Sequence, residues 1–509
     1  MKGVVSSGHP LTSRAASEML SLGGNAFDAV LAAGFASVVA EPSLTSFGGG
    51  GFLLAHTEKD KKDILFDFFV NTPGLGLNKP VSPEMNAVPI RFSGCTQIFH
   101  TGFGSVAVPG MLKGLLHVHN KLATLPLNKI MAPALSYLEE GVEINKRQEI
   151  FLGLLEPIMT ASEYGKSIFL INDRYVKMGE RLFNPELKIF MAGLKESNTD
   201  FYTSHIADSL ISKMRMRNGM LTLQDLSNYE VYEREPLRIR YRDRYILTNS
   251  PPATGGVLLA LGLYLLEKID MKSLSSDSEG FLVTLVELMK EMSRFNPQKD
   301  GKLFLYPLIN SLSSPVVEAF VKNISEKVPI STKGTTHISV IDEEGNAASM
   351  TTSNGSGSGC YIPGTGIMLN NMMGEDDLHP GGFHSSPPGK RVSSMMIPTI
   401  IMKDGKVDCA LGSGGSKRIR TAVLQALINI IDFSLSLEES VESPRIHFED
   451  NIIQVEPGYP EELIEKLKKH YDVNLWNVKD MYFGGVHCVR SNMEGWGDSR
   501  RGGSSVRSE

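Results

Sequence analysis

Residues 333–342 read Lys333-Gly334-Thr335-Thr336-His337-Ile338-Ser339-Val340-Ile341-Asp342. Ile338, Val340 and Ile341 predict a β-strand, and Glu343-Glu344-Gly345-Asn346 predicts the turn that closes it. Thr335 opens that strand. If the Gly334–Thr335 bond is cut, Thr335 carries a hydroxyl nucleophile and a free α-amine on one residue. The amine can then serve as the base for the hydroxyl, with no separate histidine. A plain loop-to-strand junction uses the same residues, and the rest of the chain has to decide between the two.

Past the turn, Ala347-Ala348-Ser349-Met350-Thr351-Thr352 predicts a second strand, hairpin-paired with the first. The polar, glycine-rich run from Ser353 to Gly359 then returns hydroxyls and an amide towards Thr335. Upstream, Gly8-His9-Pro10 starts a helix that stops at Gly23-Gly24-Asn25. A second helix from Ala26 to Val39 is made of small apolar residues, which suits an interior. Phe47-Gly48-Gly49-Gly50-Gly51-Phe52 opens a strand, Phe52 to Ala55. A glycine run cradles phosphate where it joins a strand to a helix; this one precedes a strand, so it is not a phosphate loop. Residues 145–235 predict helices, 237–241 and 244–247 a strand pair, and Ser250 to Gly256 the cap of an apolar helix from Val257 to Glu267. Residues 270–333 predict polar loops around a helix, and the part ending at Gly334 reads as an exposed, mobile linker suited to processing. Leu411-Gly412-Ser413-Gly414-Gly415-Ser416-Lys417 turns into a helix from Thr421 to Ile431. Backbone N–H groups at such a turn meet developing negative charge without reorganising.

The threonine strand with its Gly345-Asn346 turn, the segment Gly23 to Ala29, the four glycines 48–51 and Val106-Ala107-Val108-Pro109-Gly110 are collinear with one family. So are Leu125-Pro126-Leu127-Asn128, the Pro251-Pro252 turn and Gly497-Asp498-Ser499-Arg500. Together they resemble the γ-glutamyltransferase family of N-terminal nucleophile hydrolases. That resemblance implies an α/β (α+β) fold, a four-layer αββα sandwich. It implies self-cleavage between Gly334 and Thr335 into segments 1–334 and 335–509, which associate as one intertwined domain. It makes Thr335 the nucleophile, Ser353 the residue that orients it, and Gly414 with Gly415, or Gly415 with Ser416, the oxyanion donors. Asn354 and an acidic residue, Asp376 or Asp377, would bind the substrate α-amino acid, the acid taking its ammonium. Ser393 and Ser394 would contact its carboxylate.

The implied reaction transfers a γ-glutamyl or related acyl group from an amide such as glutathione to water or an amino acid. No metal or organic cofactor is implied. One residue departs from the family. After Asp67-Phe68 the family carries an arginine that grips the substrate α-carboxylate, and this chain carries Phe69. A phenyl ring cannot replace a guanidinium fork, which favours an acylase acting on another amide. A third reading is an uncleaved, inactive scaffold or binding protein. The link 378–388 is shorter than the family's lid and predicts an open cleft.

Of the 509 residues, 21% are charged and 41% hydrophobic, ordinary for a soluble globular protein, and the net charge of −6 argues against nucleic acid or an anionic membrane as partner. No apolar run is long enough to span a bilayer. Met1 to Pro10 has no apolar leader core, so the expected location is cytoplasmic, or exported if a leader was removed. Cys95, Cys360, Cys409 and Cys488 are far apart, without CxxC or zinc spacing, and read as reduced and structural.

Overall fold

The strand at residue 334 lies inside a seven-stranded sheet that stacks on a six-stranded one. The computed structural model describes residues 1–79, 81–92, 96–194, 200–275, 278–294, 334–379 and 381–509. In chain order the strands of the two sheets are Gly3–Ser7 (β1), Gly50–Thr57 (β2), Lys62–Phe68 (β3), Tyr232–Arg234 (β4), Leu237–Tyr241 (β5), Arg244–Thr248 (β6), Gly334–Asp342 (β7), Ala347–Gly355 (β8), Thr399–Lys403 (β9), Lys406–Gly414 (β10), Gly485–Arg490 (β11), Gly495–Gly497 (β12) and Ser504–Ser508 (β13). The first sheet runs β4-β3-β2-β8-β7-β1-β13 and the second β5-β6-β9-β10-β11-β12. Neighbouring strands are antiparallel throughout both.

Helices Pro10–Ser21 (α1) and Ala26–Ala40 (α2) cover the first sheet; Thr254–Leu266 (α3) and Arg418–Ile431 (α4) cover the second. Strands β7 and β8 face β10 across the middle. The result is the four-layer αββα sandwich that the sequence implied. Every residue of α2 is buried, which explains its small side chains. Gly34 is one such position: a Cβ there would lie 2.9 Å from both Leu115 and Met350. Asn25 and Asp28 form a capping box at the start of α2. The Asp28 carboxylate also accepts from the Thr124 and Leu125 amides, at 3.0 and 2.9 Å.

Between the sheets the core turns polar near β7. His337 fills the space left by Gly412, where a Cβ would come within 2.3 Å of the ring. Its Nδ1 pairs with Thr351 Oγ1 at 2.8 Å and its Nε2 with Ser339 Oγ at 2.9 Å. Ser349 Oγ donates to the Leu411 carbonyl at 3.0 Å, linking the two sheets. Buried polar groups persist only when bonded in this way.

Strand β8 runs on to Gly355, past the expected end at Thr352, because Ser353 pairs with Gly50 and Gly355 with Gly334. Helix α4 begins at Arg418 rather than Thr421. Gly334 is buried inside β7, not exposed at a linker end. The processing linker expected just before it, residues 295–333, lies outside the described residues. The described residues contain no helix long and apolar enough to cross a membrane.

Candidate active site

Strands β7 and β8 pair in regular register from Ile341↔Ala347 to Thr336↔Thr352, then shift. Between that last pair and Gly334↔Gly355, the single residue Thr335 faces two, Ser353 and Asn354. Such a bulge turns a side chain out of the ladder and re-aims it. Here it brings Thr335 Oγ1 to 3.4 Å from Ser353 Oγ, with the threonine as donor. Ser353 Oγ in turn donates to the Gly334 carbonyl at 2.5 Å and accepts from the Gly355 N–H at 2.9 Å. One serine thus touches both the hydroxyl and the carbonyl of the Gly334–Thr335 junction.

The Thr335 carbonyl accepts from Arg501 Nη1 at 3.1 Å. Gly414 backs onto the same carbonyl so closely that a Cβ would lie 2.2 Å from its oxygen. Among the described residues no histidine lines the cleft, and His337, on the same strand, is fully buried, has both ring nitrogens bonded, and is held neutral by burial well below the usual histidine range.

Thr335 and Ser353 open onto a cleft whose other polar walls are Glu375, Ser394 and Ser416. Its apolar walls are Phe69, Met372, Leu378, Met395, Met396 and Ile419. Phe69 is held by stacking on Phe52, ring centroids 5.4 Å apart. The short 378–388 link gives Leu378 to the cleft wall and runs on through exposed Gly381 and Gly382.

The other sequence-predicted residues divide. Ser394 is on the cleft wall, and its Oγ accepts from the Met396 N–H at 3.2 Å. Ser393 is bonded to Thr254 Oγ1 at 2.6 Å and the Pro252 carbonyl at 2.9 Å, so it ties down the turn before α3 instead. Asn354 is buried beside the bulge, its Nδ2 donating to the Leu369 carbonyl at 3.4 Å; it is not among the cleft walls. Asp376 lies in the turn Asp376–Leu378 and off the cleft; the Asp377 side chain lies outside the described residues.

Among the described side chains, the acid on the cleft wall is Glu375, one position before the acids that the resemblance implied. Asn371 sets its place: Oδ1 accepts from the Ser356 N–H at 2.8 Å and Nδ2 donates to the His100 carbonyl at 3.1 Å. The tight turn Met372–Gly374 then swings Glu375 back, so that its Oε1 would lie 2.4 Å from a Cβ at Gly355. Gly374 within that turn was the available signal. Of the two oxyanion registers, Ser416 lies on the cleft wall at φ +54°, whereas Gly414 stands behind Thr335, with Gly415 between them at φ +124°.

One arginine sits under the cleft floor but does not reach it. Arg391 Nε pairs with Asp67 at 3.2 Å, Nη1 with Tyr229 Oη at 2.9 Å and Nη2 with the Glu230 carbonyl at 2.7 Å. Nη1 also donates to the Phe69 carbonyl. Among the described residues the cleft walls therefore carry one ionisable carboxyl, Glu375, and no cation.

A buried threonine on a bulged strand start, shared by a serine and backed by a glycine turn, can be set against known proteins. The family model described as gamma-glutamyltranspeptidase matches residues 12–508. The chain is 30% identical to the acylase ACY 1 proenzyme of Pseudomonas sp. (strain SE83), over 97% of this chain and 90% of that protein. It is 28% identical to the glutathione hydrolase proenzyme of Bacillus subtilis (strain 168), over 99% and 91%. The crystal structure of cephalosporin acylase from Bacillus halodurans superposes with a TM-score of 0.80 at 24% identity, over 99% and 95%, which shows the same fold. Matched almost from end to end and folded in the same layers, the chain is an enzyme of the gamma-glutamyltranspeptidase family.

Proposed function

We propose that this chain is a self-processing threonine amidohydrolase whose preferred substrate is an amide with an apolar acyl group. The observation that carries the nucleophile is the shared contact of Ser353 with Thr335 Oγ1 and the Gly334 carbonyl. In the processing step Thr335 Oγ attacks the Gly334 carbonyl carbon and the C–N bond to Thr335 breaks. The hydroxyl proton passes to the departing nitrogen, leaving an ester. Ser353, donating to the Gly334 oxygen, is placed to steady the charge that develops there. Water then hydrolyses the ester, giving the Gly334 carboxylate and a free Thr335 α-amine.

In turnover the same hydroxyl attacks the substrate amide carbon. The α-amine takes its proton and delivers it to the leaving amine. Water, deprotonated by the α-amine, then attacks the acyl carbon; the acid leaves, and the α-amine returns the proton to Thr335 Oγ. The proenzyme names of the relatives support a cleaved precursor, and their acylase and glutathione hydrolase names support amide chemistry.

The substrate argument rests on the cleft walls. A γ-glutamyl group brings an α-carboxylate, and the described walls offer it no cation, a phenyl ring at Phe69 and a carboxyl at Glu375. Hydrogen bonds to charged groups contribute about 1.5–3 kcal/mol each, so a missing fork weakens such a substrate by roughly tenfold to several hundredfold. A second reading, γ-glutamyl transfer, is favoured by Glu375, which can face a substrate ammonium. The test is kcat/KM on a phenylacetyl anilide and a γ-glutamyl anilide. The expected result favours the phenylacetyl compound; faster turnover of the γ-glutamyl anilide would reverse the assignment.

A further inference from the structure

Behind the nucleophile, on the side away from the cleft, two buried ionisable side chains approach one peptide group. Glu41 caps the end of α2 and is 4% exposed. Its Oε2 accepts from Thr336 Oγ1 at 2.6 Å and its Oε1 from Thr12 Oγ1 at 2.8 Å. Gly8 leaves the room: a Cβ there would lie 2.6 Å from Glu41 Oε2 and 2.7 Å from Thr336 Oγ1. Arg501, also 4% exposed, donates to the Thr335 carbonyl at 3.1 Å and to the Met481 carbonyl at 3.2 Å. Neither side chain has a directly paired opposite charge among the described residues, and the two attract each other at longer range.

An acid and a base this deeply buried are costly unless their contacts matter to the fold or to the site. Their contacts here fall on the two ends of one unit, the Thr335 carbonyl and the Thr336 side chain. Together they fix the main chain immediately after the Thr335 α-carbon. Rotation there moves Oγ1 relative to Ser353 and to the carbonyl under attack.

We propose that Glu41 and Arg501 are positioning residues for the nucleophile, holding the Thr336 hydroxyl and the Thr335 carbonyl from behind the strand and so setting the aim of Thr335 Oγ1. The proposal rests on the reading of Thr335 as nucleophile given above. Neither residue exchanges a proton with substrate; each acts through the strand.

The test uses the full chain made by cell-free translation, with cleavage at Gly334–Thr335 followed by intact mass. Thr336→Val keeps shape and charge but removes the hydroxyl, and it tests the contact even if Glu41→Gln does not fold. It should slow cleavage by about tenfold or more, the scale on which small misplacements of reacting groups act. Thr336→Ser, which restores the hydroxyl, should recover most of the rate. In the cleaved enzyme, Thr336→Val should lower kcat on the phenylacetyl anilide with little change in KM, because the cleft walls are untouched. Glu41→Gln together with Thr336→Val should be no slower than the slower single variant, since both break one contact. Folded Thr336→Val cleaving at the wild-type rate, or additive losses in the double variant, would overturn the clamp while leaving the nucleophile in place. A wild-type chain that neither cleaves nor turns over the anilide would overturn the nucleophile reading, and the clamp with it.

Discussion

At Thr335 the side-chain contacts are with hydroxyls and backbone, and the imidazole two residues along the strand, His337, is occupied elsewhere. Replacing the hydroxyl should therefore remove both processing and turnover: Thr335→Ala should run as one full-length chain on a denaturing gel and show no activity, whereas Thr335→Ser should keep some cleavage. Fragments from the alanine variant would contradict this. Phe69→Arg should raise kcat/KM on the γ-glutamyl anilide and lower it on the phenylacetyl one, provided the new guanidinium faces the cleft as the phenyl ring does. Glu41 gives a separate, pH-dependent expectation. Burial lifts its carboxyl from 4.5 to about 7, against the lowering effect of its hydrogen bonds to Thr336 and Thr12 and of Arg501. A carboxyl raised on folding binds its proton more tightly in the folded state. Its contribution to stability is full below 4.5 and is lost as pH rises through about 7. The loss is about 3 kcal/mol. Glu41→Gln should flatten the fall of Tm across that window, measured by thermal unfolding at several pH values; an unchanged pH profile would show that Glu41 does not titrate there.

Among the elements, the hairpin of β7 and β8 and the turn between β10 and α4 make the site. The end of β10 tolerates no side chain at Gly414, where a Cβ would overlap the Thr335 oxygen. Gly414→Ala should cost about 1–3 kcal/mol, the usual range for overpacking. It should also depress turnover, read as kcat in a variant whose melting curve shows it folded; unchanged kcat would mean that the Thr335 carbonyl can move without consequence. The hairpin itself was legible in the sequence, because alternating β-branched residues and a Gly-Asn turn are local signals. The α2 helix was legible through its small apolar residues, whereas Asn25, read as the stop of α1, is also the cap of α2. The bulge at Thr335 was not, since a register shift depends on which residues of β8 meet Gly50 and Gly334, and no local pattern records that. Glu375 is carried onto the cleft wall by the short turn at Met372–Gly374, whose one local mark in the sequence is Gly374. The resemblance implied Ser393 and Ser394 as a pair; only the structure shows Ser393 bonded to Thr254 and to the Pro252 carbonyl.

For the whole molecule, the junction at residue 334 does not coincide with any boundary between layers. The first sheet takes β1 to β4 from residues before Gly334 and β7, β8 and β13 from Gly334 onward, and β7 lies between β1 and β8. Fragments produced by cleavage should therefore stay together. We expect one peak in size-exclusion chromatography under native conditions and two species only in denaturant; separation without denaturant would contradict the interleaving. The same sheet has another consequence. Strand β1 pairs with β13, Gly3 opposite Ser508, and the Lys2 N–H donates to the Ser508 carbonyl at 2.8 Å. A short linker could thus join residue 508 to residue 3 without disturbing either strand. Such a circular permutant could begin at Thr335, carry the linker, and end in the segment that precedes Gly334. Removal of an initiating methionine would expose the threonine amine directly, so the permutant would reach turnover with no peptide bond to break, and maturation and catalysis could be assayed apart.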